Sequence, residues 1–157
     1  MTTTVSLPTA LDALETLDNT LDLTGVRMKL ADPEGGKVLT PAQLDTAERE
    51  YRRFLALHLA FPDAAIVPCK LVDEIWHQHI LDTRAYHEDC ERIFGAYLHH
   101  YPYFGMRGAD DAHALHAAYE ETIAKYRDAF GEPPENTWIA ADASSCKRTA
   151  CKPQKCR

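Results

Sequence analysis

The chain lacks several things that would fix its class at once. No apolar run approaches the roughly 18–20 residues needed to span a bilayer, so no membrane segment is expected in these 157 residues. The opening MTTTVSLPTALDALETL has no basic stretch and carries acids where a signal peptide would be apolar, so secretion is not expected. Metal-ligand spacings of the CxxC or HExxH kind are missing. Runs with strand-like alternation are almost absent, and only seven glycines are spread along the whole chain. The five cysteines are an odd number, which fits a reducing cytoplasm better than a disulfide framework.

Basic charge is lacking too, except at one end. Residues 143–157 hold Lys147, Arg148, Lys152, Lys155 and Arg157 with no acid, and the net −7 of the chain leaves −12 for residues 1–142. A body that acidic repels phosphate backbones, so nucleic acid is not an expected partner of the body. At 45% hydrophobic and 26% charged residues, the rest reads as one ordinary globular domain with its own core.

What is present is helical periodicity. Leu11, Leu14, Leu17 and Leu21 recur at three and four residues and predict a helix over 9–22. LTGVRMKLADPEGGK reads as an irregular connection, with VRMKL at most one short strand. Thr40-Pro41-Ala42-Gln43 predicts a capping box that opens a helix to about 60, its buried stripe being Leu44, Tyr51, Phe54, Leu55 and Leu59. Pro62 and Pro68 interrupt it. Two short helices follow at 69–81 and 83–94, joined at Asp82 or Thr83 and stopped by Gly95. After the aromatic loop AYLHHYPYFGMRG, a long helix is expected over 110–130, striped by Leu115, Tyr119, Ile123, Tyr126 and Phe130. The expected fold is therefore an all-α, single-domain bundle of about five helices over 1–133, with a central helical hairpin. Beyond Pro134 periodicity is lost, and 134–157 reads as a disordered basic tail with Cys146, Cys151 and Cys156 five residues apart.

The chemistry concentrates in VDEIWHQHILDTRAYHEDC, residues 72–90, which pack three histidines, a cysteine, a tryptophan and five carboxylates. On a helical wheel with Val72 at 0° and about 100° per residue, His79 falls in the apolar stripe of Val72, Ile75 and Trp76. His77 falls roughly 200° away, beside Asp73. On the following helix Cys90 lies at the centre of the stripe of Tyr86, Ile93 and Phe94, with His87 at its border. If the two helices pack as a hairpin, His79, Cys90 and His87 face one interior point, and His99 or His100 from the loop completes a set. Imidazole and thiolate suit zinc or iron, and Asp73 is placed to hold a tautomer of His77. The ordinary alternatives are a core histidine bonded to a carbonyl and an inert packed cysteine. His58 reads as core, His113 and His116 as an exposed face, and Arg107 as surface or an anion anchor.

LVDEIWHQHILDTRAYHEDC followed by FGAYLHHYPYFGMRG resembles the glycine-rich-domain-containing-protein-like family, firmly over 66–108. The family pattern falls on Trp76, His77, His79, Asp82, Tyr86, Cys90, Gly95 and one of His99 and His100; His87 is outside it. The glycine-rich segment of that family is missing from this chain. The resemblance implies a shared helical core and motif, with no established reaction.

Three functions follow as expectations. The first is a zinc or iron protein, structural or catalytic, using His77, His79, Cys90 and His99 or His100, with His87 as a further candidate and Asp73, Asp82, Tyr86 and Trp76 around them. The second is a non-catalytic adaptor that docks a protein partner on the hairpin and aromatic loop. The third is a folded leader whose tail thiols Cys146, Cys151 and Cys156 meet a modifying enzyme.

Overall fold

The computed structural model describes residues 6–139. Within them the chain forms helices α1 (Ala10–Thr20), α2 (Thr24–Leu30), α3 (Pro41–Ala60), α4 (Lys70–Leu81), α5 (Thr83–Phe94) and α6 (Ala109–Phe130), with a 3-10 turn at Pro33–Gly35 and no strand. The all-α expectation holds, with six helices in the described residues rather than about five. The tail thiols Cys146, Cys151 and Cys156 lie outside the described residues. No helix described is long and apolar enough to cross a membrane.

Local chemistry sets the ends. Thr40 Oγ1 accepts from the Gln43 amide at 3.2 Å while Gln43 Oε1 accepts from the Thr40 amide at 2.9 Å, so the capping box opens α3 with Pro41 at its first position. Thr9 and Asp12 form a matching box on α1. Asp82 closes α4 and caps α5. Gly95 ends α5 in the left-handed conformation, φ 64° and ψ 14°, which L side chains rarely adopt.

The stretch VRMKL belongs to α2 and not to a strand. A strand would place Val26 and Met28 on one face, yet Val26 is 5% exposed and Met28 73%. Asp22 accepts from the Thr24 amide at the start of α2, and Arg27 pairs with Asp45 and Glu48 of α3, both at 2.7 Å. Tertiary contact thus selects helix where a seven-residue window shows no period.

Helix α3 is the axis of the bundle and packs on α1, α2, α4 and α6. Its core face carries Leu44, Ala47, Tyr51, Phe54 and Leu55. Arg52 on its flank donates to the carbonyls of Leu17 and Leu21 at 2.7 and 2.8 Å, which caps the end of α1 with a cation. The chain after α6 is also tied down. Trp138, four residues past the last proline of the 133–134 pair, is 6% exposed and donates to buried Glu50 at 2.9 Å. Glu50 also accepts from Tyr126 Oη at 2.7 Å and from Arg53 at 3.2 Å. A fully buried carboxylate is tolerated because four donors, Arg49 included, surround it.

Candidate functional site

The hairpin α4–α5 separates the histidines that the sequence groups together. His79 is 2% exposed, and both of its ring nitrogens are engaged. Nε2 faces the Asp89 carboxylate at 3.0 Å and Nδ1 faces the Tyr51 hydroxyl at 2.9 Å. A carboxylate only accepts, so Nε2 carries the proton and Nδ1 accepts from Tyr51. Burial pushes His79 below its ordinary pKa, against the charge and hydrogen bond of Asp89. A neutral ring saturated on both sides is a structural link between α3, α4 and α5.

Cys90 is 2% exposed. Burial pushes its thiol pKa up, while hydrogen bonds to the Leu98 backbone and the Tyr86 hydroxyl pull it down. The net direction is upward, away from the thiolate that metals prefer. Around it runs a second chain of contacts: Trp76 Nε1 donates to Tyr86 Oη at 2.9 Å, and Tyr86 Oη donates to the Leu98 carbonyl. This chain fastens the loop after Gly95 onto the hairpin. The family-like positions Trp76, Tyr86 and Cys90 therefore hold the scaffold, with Asp82 as cap.

That fastening delivers His100 to α4. The His100 ring lies 4.7 Å from the Trp76 indole and 4.3 Å from the His77 ring, centre to centre. His100 Nε2 sits 3.1 Å from Asp73 Oδ1. His77, one turn after Asp73, places Nδ1 2.6 Å from the Asp73 carbonyl and 3.4 Å from Asp73 Oδ2. A carbonyl only accepts, so Nδ1 of His77 carries the proton and Nε2 keeps its lone pair. One donor atom from each of Asp73, His77 and His100 lies within 4.8 Å of the others. Asp73 and His100 are half-buried and His77 is exposed, so the group opens to solvent on one side.

The remaining candidates stand elsewhere. His87 and His99 are exposed and flank the Tyr97 ring at 6.2 and 4.7 Å. They fall outside the three-residue group, as do His79 and Cys90. Thus the structure brings together His77 and His100 with Asp73, and it keeps His77 and His79 on opposite faces, as the helical wheel requires. Asp73 stands as a potential ligand and not only as an orienting group. The i, i+4 spacing of Asp73 and His77 was the readable signal for that. The choice of His100 over His99 depends on the loop, which has no period to read.

His58 lies apart from the group, fully buried, edge-on to Phe54 at 4.7 Å. Neither ring nitrogen has a hydrogen-bond partner among the described residues. Burial alone pushes its pKa down to about 3. His113 and His116 are exposed on α6.

A family model described as UCP032817-like matches residues 24–126, from α2 into α6. That is more than half of the chain, which therefore belongs to the UCP032817-like family. This corrects the resemblance to the glycine-rich-domain-containing-protein-like family. The match extends well beyond the WHxH and DC positions on which that resemblance rested, and those positions mostly hold a helical scaffold. A comparison with curated proteins finds no match, and a comparison with solved structures finds none either.

Proposed function

We propose that this UCP032817-like chain binds one divalent transition-metal ion, zinc or iron(II), through Asp73, His77 and His100. The observation that carries the reading is the convergence of two imidazoles and one carboxylate within 4.8 Å on a solvent-open face. Two histidines and a carboxylate are a donor set used by zinc hydrolases and by non-haem iron(II) centres, and both keep positions open for water or substrate. Metal–ligand distances of about 2.0–2.2 Å place neighbouring donors roughly 3.3–3.5 Å apart. The side chains need to close by about an ångström, and His77, exposed on its helix, has the freedom to do so. An ion seated between His100 Nε2 and Asp73 Oδ1 replaces the proton they share. Cytoplasmic residence is part of the same proposal, supported by the odd cysteine count.

The test is metal analysis of untagged protein, followed by titration of zinc and iron(II) into the chelator-stripped chain. One equivalent per chain is expected, abolished by the double variant D73N/H77A. That variant keeps its helical circular dichroism, because neither side chain belongs to the core. A wild-type chain that folds fully and takes up no ion overturns the reading. So does stoichiometric binding that survives D73N/H77A.

A further inference from the structure

The Asp73, His77 and His100 group supplies three donors, and among the described residues no fourth histidine, cysteine, aspartate or glutamate joins it. Closed zinc sites take four protein ligands in a tetrahedron. Cys69 and Cys90 are buried and stand outside the group. A fourth position is left for water, for a substrate atom or for another part of this chain. We infer that Cys146 fills it, its thiolate being the fourth ligand, so that the chain closes its own site. This rests on the metal reading above and names what governs access to that site.

The argument for the chain itself is where it leaves the described fold. Trp138 is fixed by its bond to Glu50, and the Ile139 carbonyl accepts from Tyr119 Oη at 3.0 Å, so the exit is pinned. Ile139 shares a cleft with Lys70, Leu71 and Glu74 of α4. On the α4 wheel, with Val72 at 0°, Lys70 and Glu74 stand at about 160° and 200°, and Asp73 and His77 at about 100° and 140°. The exit therefore borders the adjoining face of the same helix, within about one turn, roughly 5 Å, along its axis. Cys146 follows Ile139 by seven residues, a run that reaches at most about 23–25 Å. It is the first cysteine past the exit, and effective concentration falls as a tether lengthens.

Charge and donor chemistry agree with this. Zinc on two neutral imidazoles and one carboxylate keeps a positive charge that a thiolate cancels, and sulfur is among the donors zinc favours. Residues 143–157 carry +5 against −12 for residues 1–142, so this segment is drawn to the body that bears the site. The zinc–sulfur bond forms as the thiol gives its proton to solvent and any water on the metal leaves. No oxidant or reductant takes part. With four protein ligands in place no position remains for substrate, and Cys146 acts as a reversible plug.

Cobalt(II) is the probe, added to the chelator-stripped full chain under a phosphine reductant and read by absorption. A sulfur-to-cobalt charge-transfer band in the near ultraviolet is expected, unchanged per bound ion on dilution. C146S should abolish that band, keep the visible d–d bands of bound cobalt and weaken zinc binding roughly tenfold or more. C151S and C156S should leave all three unchanged. Cobalt uptake without the band overturns this inference and leaves the metal reading standing, whereas no cobalt uptake overturns both. A band that survives C146S, or persists in D73N/H77A, places the sulfur elsewhere and overturns the assignment. So does a band that fades per bound ion on dilution, the sign of a thiol from a second copy.

Discussion

His58 is the residue whose surroundings conflict most with its chemistry. An imidazole without partners in an aromatic core is held neutral, its pKa lowered by burial to about 3. The unfolded chain takes up that proton near pH 6.5. Between those values the unfolded state binds more protons, so stability falls as pH drops through the window from about 6.5 to about 3. From pH 7 to pH 5 the loss from this residue is on the order of 2 kcal/mol. H58L should flatten that slope in urea unfolding measured at both pH values, and should raise the midpoint at pH 5. An unchanged slope would show that His58 is protonated or solvated in the folded chain. At the same scale, Y86F strips Trp76 Nε1 of its acceptor and the Leu98 carbonyl of its donor. Each buried group left unpaired costs about 1–3 kcal/mol. Urea unfolding of Y86F should show a loss of at least 1 kcal/mol. Zinc affinity should fall about tenfold, since the loop that positions His100 loses its tether.

Among the elements, the hairpin and the segment after α6 behave differently under sequence reading. Helices α3 to α6 were legible because their caps and stripes repeat: Thr40 with Gln43, Asp82, Gly95, and the run from Leu115 to Tyr126. Helix α2 was not, because seven residues complete barely two turns and only Val26 is buried. The segment 131–139 had no period either, yet Trp138 reaches Glu50 in α3 across most of the chain. Nothing local to Glu50 marks it as buried, since it sits on α3 among Arg49, Arg52 and Arg53. E50A should therefore destabilise far more than a surface acid. Removing one partner of a buried charge network costs about 3–5 kcal/mol, and the loss should appear as a drop of at least 1 M in the urea midpoint. A change within experimental scatter would mean that the 131–139 segment is not docked in solution.

For the whole molecule the metal reading makes one stability prediction. An ion bound only to the folded state stabilises by about 2.7 kcal/mol when present at 100 times its Kd. Chelator should lower the melting temperature of the wild-type chain and leave D73N/H77A unmoved. The effect should fade on acidification, because the ligating imidazoles must be unprotonated. A melting curve that is identical with and without chelator, in protein shown to be metal-loaded, would remove any structural role for the ion.

By itself the sequence determined the class of the fold, the places where most helices start and stop, and the face to which each side chain of α4 belongs. Periodicity and capping are local, carried by residues three or four apart, so these features can be read from the chain. Only the tertiary structure decided which imidazoles meet. The Tyr86 to Leu98 tether turns His100 toward Asp73 and His77, while Asp89 and Tyr51 enclose His79. Those contacts depend on how α3, α5 and an aperiodic loop close around α4, and no spacing along the sequence encodes that.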